Sequence, residues 1–225
     1  MSIIFDSLVK HSESLLSILR KNGIEINEDH GFSWPNYIFE SNTFRRAHLD
    51  VVDARETKRL YMMHLCIFPH TDDNSPIYGF DLIAGPNKVT GAFHDFSPTL
   101  DSQHDMCTWF NTRVKSLQWS KERELPEWAK NIFSKSMVAA GNINTVPELK
   151  TILDLSEETL LYYLKNIGQT SIFNSKDAQN YYCENQRKNP HTPKVMESLG
   201  LPPEDVQKFI SDCLFPSCES PGITL

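Results

Sequence analysis

The chain contains 225 residues, of which 40% are hydrophobic, 23% charged and 11% aromatic. This composition excludes a disordered chain, a collagen and a coiled coil. The length allows one large domain or a small pair, and we predict a single domain over residues 1–225. Because 22 basic residues stand against 29 acidic ones, the net charge is −7, which disfavours binding to nucleic acid or to anionic membranes unless basic groups are clustered.

The chain carries no recognisable signal for export or membrane insertion. Its start, MSIIFD, has neither the layout of a signal peptide nor the Arg/Ser richness of a transit peptide. No apolar run approaches the roughly 18 residues that a transmembrane helix needs. We therefore expect a cytoplasmic protein. The five cysteines form no C-x-x-C pair, so zinc sites, thioredoxin-type sites and disulfide frameworks are not expected.

The predicted elements begin with an amphipathic helix over residues 8–19, where leucines recur at helical spacing. Four strands follow along the chain, at residues 46–52, 60–68, 77–84 and 89–96. The second of these strands is apolar on both faces, which is typical of a central strand covered on both sides. Turn-forming residues at 72–76 and 85–87 leave short connections, and these favour an antiparallel meander.

The second half of the chain is predicted to be mostly helical. Helical periodicity covers residues 147–167, as one helix or as two that break near Ser156. Two further helices are predicted at residues 176–186 and 203–214, the last with prolines at its start. Strands in one block and helices in another predict an α+β protein with helices on both faces of one sheet.

Several common catalytic motifs are missing. The sequence contains no G-x-G-x-x-G, G-x-x-x-x-G-K-[ST], H-E-x-x-H or G-x-S-x-G, so dinucleotide, P-loop, zinc-protease and serine-hydrolase sites are not expected. No flavin, haem or iron–sulfur motif is recognisable either. In a redox enzyme of this sequence, electrons would pass directly from a partner protein to the substrate.

Ionisable residues lie inside the apolar strands. His64 occupies the middle of the most apolar run, Asp81 lies within the next strand, and His48 and Asp50 share one face of the strand before. Buried ionisable groups are costly unless they are paired, and a carboxylate beside an imidazole suits proton transfer. The alternative is that these are structural core residues. For Asp95, at the end of its strand, a capping role is the better interpretation.

Short segments between residues 44 and 215 carry a family resemblance. They are FRRAHLD (44–50), MHLCIFP (63–69), IYGFDLIAGP (77–86), DFSPT (95–99), RELPEW (123–128), IFS (132–134), YCENQRKN (182–189) and LF (214–215). Each segment is weak alone, but their common order is specific. On this basis the chain resembles the ferredoxin-dependent bilin reductases.

The resemblance implies a three-layer α/β/α sandwich around a central antiparallel β-sheet, with a tetrapyrrole held between the sheet and the C-terminal helices. It implies an oxidoreductase that reduces biliverdin IXα stepwise through substrate radicals. The electrons would come from reduced [2Fe–2S] ferredoxin, with no bound metal, flavin or other cofactor. A monomer that binds neither nucleic acid nor membrane is expected.

The resemblance also assigns site residues. His64 and Asp81 match the paired proton-handling residues, and His48 matches a histidine of the supporting proton network. Thr90 and Arg123 match positions that hold the propionates, where a hydroxyl and a guanidinium are suitable donors.

Two departures from the family pattern bear on the product. Members that form phycocyanobilin carry a catalytic Glu at the position of Asp50, so the carboxyl group is withdrawn here by roughly 1.5 Å. Members also carry Asp at the position of Asn189 or Pro190, followed by Lys where this chain has His191. We keep Asn189 and His191 as substrate-binding candidates. Members that form phycoerythrobilin often carry Asn where His64 stands, so the chain mixes subgroup features.

The sequence therefore predicts reduction of biliverdin IXα, or of a dihydrobiliverdin, to phycoerythrobilin through 15,16-dihydrobiliverdin. The shorter carboxylate of Asp50 disfavours vinyl protonation and leaves the methine bridge to compete. Three alternatives stay open. They are phycocyanobilin as the product, a bilin-binding carrier without turnover, and an unrelated α+β binding module in which His64 and Asp81 are structural.

Docking of ferredoxin requires local positive potential, because plant-type ferredoxins are acidic. Basic residues in or near the matched segments are the candidates for this surface: Arg45, Arg46, Lys121, Arg123, Lys130, Arg187 and Lys188. Any single one of them can equally be an ordinary solvated charge.

Overall fold

The computed structural model describes residues 2–28, 31–172 and 174–218. Its helices are α1 (Ile3–Asn22), α2 (Arg55–Lys58), α3 (Asp105–Val114), α4 (Glu127–Lys130), α5 (Val146–Asn166), α6 (Lys176–Gln186), α7 (His191–Ser198) and α8 (Pro203–Lys208), which continues as a π-helix over Phe209–Leu214. Its strands are β1 (Ile24–Ile26), β2 (Asn36–Glu40), β3 (Phe44–Ala54), β4 (Leu60–Pro69), β5 (Ile77–Gly85), β6 (Lys88–Ser97) and β7 (Val138–Ala140).

Within the described residues, the strands form one seven-stranded antiparallel sheet in the order in which they follow along the chain. The predicted meander is therefore confirmed. β4 lies at the centre of the sheet, and its residues pack into hydrophobic clusters on both faces, as its apolar sequence predicts. Among the described helices, none is long and apolar enough to cross a membrane.

The two faces of the sheet differ in how tightly they are covered. Along β5, Tyr78, Phe80, Leu82 and Ala84 are buried, whereas the residues between them remain partly exposed. The buried set packs in one cluster with residues of α1, α3 and α5, and we call this the closed face. The other face, which carries residues 79, 81 and 83, is covered by residues of α6, α7, α8 and the π-helix, and we call it the cleft face. The α+β, three-layer α/β/α prediction is confirmed.

The long helix of the closed face is continuous. α5 runs unbroken through Ser156, so the predicted alternative of two helices is wrong. The Ser156 hydroxyl donates to the carbonyl of Leu153 at 2.9 Å and lies 2.8 Å from Nε2 of His11 on α1. A serine hydroxyl that bonds back to the carbonyl three residues earlier is satisfied within the helix, and here it does not interrupt α5.

Several elements of the structure were not predicted, among them the helices α3 and α7 and the strand β2. β1 and β7 have three residues each, too few to show a period of two. The helix predicted at 203–214 changes after Lys208 into the π-helix. π-helical turns are rare and often lie at functional sites, and this one packs over the cleft face.

Candidate functional site

The strand register brings three predicted residues together on the cleft face. Asp50 on β3 lies directly opposite His64 on β4, and His64 lies directly opposite Asp81 on β5. Directly opposed residues of neighbouring strands project from the same face, with Cβ atoms about 5 Å apart. We call these three residues the carboxyl–imidazole row.

Burial sets the protonation of the carboxyl–imidazole row. It raises the pKa of Asp50 to about 8, a shift that the Asp81 carboxylate reinforces and a hydrogen bond from Trp34 opposes. It also raises the pKa of Asp81 to about 7, against a hydrogen bond from the backbone of Leu82. Burial lowers the pKa of His64 to about 4. Near neutral pH the imidazole of His64 is therefore neutral, and each of the two carboxyl groups beside it is protonated in a large fraction of molecules.

His64 has an unused polar atom. Among the described residues, its Nδ1 is buried and has no hydrogen-bond partner, a state that costs about 1–3 kcal/mol. Its ring meets that of Phe215 in a T-shaped contact, with ring centroids 5.6 Å apart and planes at 82°. The carbonyl of Phe215 accepts hydrogen bonds from Nε and Nη2 of Arg187 at 3.2 and 2.6 Å. Arg187, which follows the last residue of α6, thus fixes the backbone of the phenylalanine that packs against the imidazole.

His48 lies one position further along the cleft face and is fully buried. Its ring centroid lies 6.4 Å from that of His64. Its Nε2 is 2.9 Å from Oδ1 of Asn36 on β2 and 3.6 Å from Sγ of Cys213 on the π-helix. The histidine therefore lies beside the carboxyl–imidazole row.

Thr90 and Arg123 lie together, one strand beyond Asp81. The guanidinium of Arg123 donates to the carbonyl of Thr90 and lies 5.9 Å from the ring centroid of Phe93. Phe93 on β6 is the direct partner of Asp81. The Thr90 hydroxyl donates to the carbonyl of Ile83 at 3.1 Å. Arg123 is exposed at this edge of the site, which suits a group that receives a carboxylate from solvent.

Asn189 and His191 lie at the junction of α6 and α7. Oδ1 of Asn189 accepts a hydrogen bond from the backbone N–H of His191 at 3.0 Å, which satisfies one donor of the first turn of α7. The His191 side chain is exposed. In the described part of the chain, neither side chain hydrogen-bonds to the carboxyl–imidazole row. Both residues therefore lie at the junction of two helices that cover the cleft face, and we call this junction the rim.

Asp95 agrees with its structural interpretation. Its carboxylate accepts hydrogen bonds from the Ser97 hydroxyl at 2.8 Å and from the backbone N–H of Ser134 at 2.8 Å. Burial raises its pKa to about 6, and these hydrogen bonds oppose the rise. A carboxylate satisfied in this way ties the end of β6 to the loop after α4.

Some of the predicted docking residues are used inside the fold. Arg46 forms a bidentate ion pair with Glu28 at 2.7 and 2.9 Å, and Arg187 is committed to the carbonyl of Phe215. Arg45 donates to Oε1 of Gln179 at 2.7 Å and lies over the ring of Phe68. The remaining candidates are exposed: Lys121, Arg123, Lys130 and Lys188.

The cysteines near the cleft face are buried thiols. Burial raises the pKa of Cys183 to about 12 and raises those of Cys66 and Cys213 further, so they remain protonated at neutral pH. Within residues 2–28, 31–172 and 174–218, no three His, Cys, Asp or Glu side chains are grouped so that they could hold a metal ion.

Sequence reasoning missed two aromatic residues of the site. Trp34, in the segment before β2, donates from its indole Nε1 to Oδ1 of Asp50 at 2.5 Å. Phe215 ends the last of the segments that carry the family resemblance, and nothing in the sequence indicates that it contacts His64. Neither residue lies in a periodic element, so no pattern indicated its direction. The only sequence signal is position: Trp34 lies just before β2, and Phe215 lies just after the π-helix.

The raised carboxyl pKa values predict how stability depends on pH. Asp50 is 1% exposed, and its pKa of about 8 when folded lies above its unfolded value. The folded state therefore binds more protons, and stability falls as pH rises towards 8. His64 acts in the opposite direction, but only below its unfolded pKa of about 6.5.

We therefore expect the free energy of unfolding to decrease between about pH 6.5 and about pH 8, with a slope of up to about 1.4 kcal/mol per pH unit from Asp50. Urea unfolding across this range measures the slope. Asp50→Asn should reduce the slope, since Asn does not titrate, and should leave the contribution of Asp81, whose pKa of about 7 is also raised by burial. An unchanged slope in Asp50→Asn would show that Asp50 does not carry the effect.

The sequence of this chain is similar to those of known proteins. The family model described as "Ferredoxin-dependent bilin reductase" matches residues 19–216. A phycocyanobilin:ferredoxin oxidoreductase from Synechococcus sp. strain PCC 6301 is 29% identical over 172 residues, which are 72% of this chain and 67% of that protein. A protein of the same name from Synechococcus sp. strain CC9902 is 26% identical over 196 residues, 83% of this chain and 77% of that protein.

Solved structures share the fold. The structure of PcyX superposes with a TM-score of 0.67 at 36% identity, over 93% of this chain and 98% of that one. Tomato phytochromobilin synthase in complex with biliverdin superposes with a TM-score of 0.65 at 14% identity, over 94% of this chain and 82% of that one, which shows the fold alone. The family model covers most of the chain, so this protein belongs to the ferredoxin-dependent bilin reductases and is an oxidoreductase.

Proposed function

We propose that this protein reduces biliverdin IXα to phycoerythrobilin through 15,16-dihydrobiliverdin, with reduced [2Fe–2S] ferredoxin as the electron donor. The observation that carries the proposal is the carboxyl–imidazole row on the partly open face of the sheet. In this row, one carboxyl group that can carry a proton lies on each side of the neutral imidazole of His64. The biliverdin bound in the tomato relative supports the choice of substrate.

The reaction consumes protons in step with electrons. Conversion of biliverdin to phycoerythrobilin adds four electrons and four protons, two of each for the methine bridge and two of each for the A ring. Each reduced ferredoxin gives one electron and becomes oxidised, so the bilin passes through radicals. An added electron raises the basicity of the bilin, and a proton source must therefore lie against it.

The carboxyl–imidazole row can supply these protons in sequence. Asp81, with a pKa of about 7, is protonated in a large fraction of molecules and can donate to the reduced bilin. His64 lies directly opposite both Asp50 and Asp81, and its imidazole would resupply a proton to the carboxyl group that has donated one. Its unpartnered Nδ1 is an atom that a bound bilin could satisfy.

The substrate is proposed to lie between the cleft face and the C-terminal helices. Arg123 and Thr90 would hold a propionate at the β6 edge, where a guanidinium and a hydroxyl can both donate to a carboxylate. Asn189 and His191 would approach the bilin from the rim. Because they replace the family's Asp and Lys, the rim delivers no carboxylic proton, which leaves Asp50 and Asp81 as the donors.

Phycocyanobilin is the second candidate product, favoured by the names of the related oxidoreductases. It requires a proton at the D-ring vinyl group, where the resembled family uses the longer Glu. The shorter side chain of Asp50 keeps its carboxyl group nearer to its own backbone than Glu would, and a hydrogen bond from Trp34 holds it there. This position favours protonation of the methine bridge, and hence phycoerythrobilin.

A two-stage experiment separates these functions. Purified protein is mixed with biliverdin and the absorption spectrum recorded, and reduced ferredoxin is then added without oxygen. A shifted spectrum followed by a pink intermediate and phycoerythrobilin on chromatography is expected. A blue product that coelutes with phycocyanobilin, without a pink intermediate, would contradict the assigned product. Binding without turnover would identify a carrier, and absence of binding would rule out the bilin site.

Electrostatic docking of ferredoxin gives a further prediction. With ferredoxin as the varied substrate, kcat/KM should fall severalfold between about 20 mM and about 150 mM salt, because surface charges are screened over about 8–10 Å. Lys121→Gln and Lys188→Gln should raise the KM for ferredoxin and leave kcat nearly unchanged.

The matched control for these variants is Lys165→Gln, since Lys165 is exposed on α5 on the opposite side of the sheet. It should leave the KM unchanged. Turnover that is indifferent to salt, or an equal effect of all three substitutions, would contradict docking at this surface.

A further inference from the structure

A hydrogen bond from outside the sheet holds one member of the carboxyl–imidazole row. Nε1 of Trp34 donates to Oδ1 of Asp50 at 2.5 Å. Among the described residues, this is the only hydrogen bond to the Asp50 carboxyl group. An indole N–H is a donor only, so the oxygen that it binds must act as acceptor. In a neutral carboxyl group the carbonyl oxygen is a stronger acceptor than the hydroxyl oxygen, so this hydrogen bond favours the form of protonated Asp50 in which the proton is on the other oxygen, Oδ2.

The indole is itself fixed from two directions. Its ring stacks on Phe32 with centroids 5.3 Å apart and planes at 21°, and meets the edge of Phe209 at 5.4 Å and 83°. Phe209 begins the π-helix that covers the cleft face. The next residue, Pro35, accepts a backbone hydrogen bond from Val51 at 3.1 Å. Trp34 is thus tied both to the strand of Asp50 and to the helix above it.

We propose that Trp34 is a positioning residue for bilin reduction: by donating to Oδ1, it directs the transferable proton of Asp50 to Oδ2 and fixes the point at which that proton is delivered. This inference rests on the proposed function, in which Asp50 is a proton donor. The same indole N–H then stabilises the carboxylate that remains after the proton has left.

Other groups around Asp50 do not replace this contact. On its own strand, β3, His48 lies beside it on the same face, and Arg46, which is ion-paired with Glu28, lies one position beyond His48. On β2 its direct partner is Asn36. Across the sheet it faces His64 and then Asp81, and the thiol of Cys213 approaches from the π-helix. In the described part of the chain, none of these groups hydrogen-bonds to the Asp50 carboxyl, so removal of the indole N–H leaves it without a fixed orientation.

The test compares Trp34→Phe with the natural chain. Phe retains an aromatic ring for Phe32 and Phe209 but lacks the N–H. The titration of Asp50 is followed by ¹³C NMR of labelled aspartate in the ligand-free protein, with Asp50→Asn used to assign the signal. Trp34→Phe should raise the titration midpoint by about one pH unit, since a hydrogen bond to the charged form is lost. Trp109→Phe, a matched change on α3 at the closed face, should not move it.

Turnover supplies the second readout. With biliverdin and reduced ferredoxin, Trp34→Phe should broaden the product distribution and lower the turnover rate severalfold. When Asp50 is already replaced by Asn, adding Trp34→Phe should change neither the product distribution nor the rate any further. An unmoved titration midpoint, or an equal effect of Trp34→Phe with and without Asp50, would overturn the proposal.

A third measurement covers the case in which Trp34→Phe fails to fold. The ¹H–¹⁵N signal of the Trp34 indole in the natural chain should shift with pH at the Asp50 midpoint and lose this dependence in Asp50→Asn. An indole signal insensitive to Asp50 would overturn the proposal. If Asp50 titrates as expected but no bilin is reduced, the proposed function fails while the Trp34–Asp50 hydrogen bond is upheld.

Discussion

Replacement of Asp81 by Asn is expected to leave biliverdin binding intact and to lower turnover by at least about 100-fold, the usual contribution of a general acid. Asn has nearly the shape of Asp but carries no transferable proton. Because Asp81 lies beside His64 on the partly open face, the bilin should still bind and accept an electron. We expect the reaction to stop at a substrate radical.

Two measurements separate binding from proton transfer in this variant. Absorption titration gives the biliverdin affinity, and electron paramagnetic resonance after addition of reduced ferredoxin detects the radical. Asp53→Asn is the matched control, because Asp53 lies on β3 as a partly exposed partner of Arg55 and outside the carboxyl–imidazole row. Full activity of Asp81→Asn would remove Asp81 from the mechanism.

The sheet of this protein could be predicted well, but its register could not. The apolar run around His64 indicated a central strand, and short turns indicated a meander. A shift of one residue between β4 and β5 would have turned His64 and Asp81 to opposite faces. Only the direct pairing of Asp50 with His64 and of His64 with Asp81 establishes that the three residues share one face.

The partners of individual side chains were beyond sequence reasoning for a different reason. Charge alone does not distinguish Arg46, which is buried against Glu28, from the exposed Lys121. Trp34 reaches Asp50 from a non-periodic segment, so its direction depends on tertiary packing against Phe209 rather than on local pattern. The strands and helices can be predicted from the periodicity of the sequence. The side-chain contacts that hold the site residues in place join segments that are distant in sequence, and periodicity does not predict them.

Lengthening Asp50 to Glu is expected to redirect the product. The additional methylene extends the reach of the carboxyl group by roughly 1.5 Å, and a displacement of about 1 Å at a reacting centre can change a rate on the order of 100-fold. In Asp50→Glu the acid should reach further from β3 into the cleft and away from the indole of Trp34. Part of the product should then shift from phycoerythrobilin towards phycocyanobilin.

Chromatography and absorption spectra are the measurements for this variant, because the two products are isomers and have the same mass. Saturation of the methine bridge shortens the conjugated system, so a pink intermediate should weaken at early times in Asp50→Glu. Asp53→Glu lengthens a carboxylate on the same strand at a partly exposed position and should leave the product unchanged. If Asp50→Glu retains phycoerythrobilin as its sole product, side-chain length at this position does not decide between methine and vinyl protonation, and the choice must be made by how the bilin lies against His64 and Asp81.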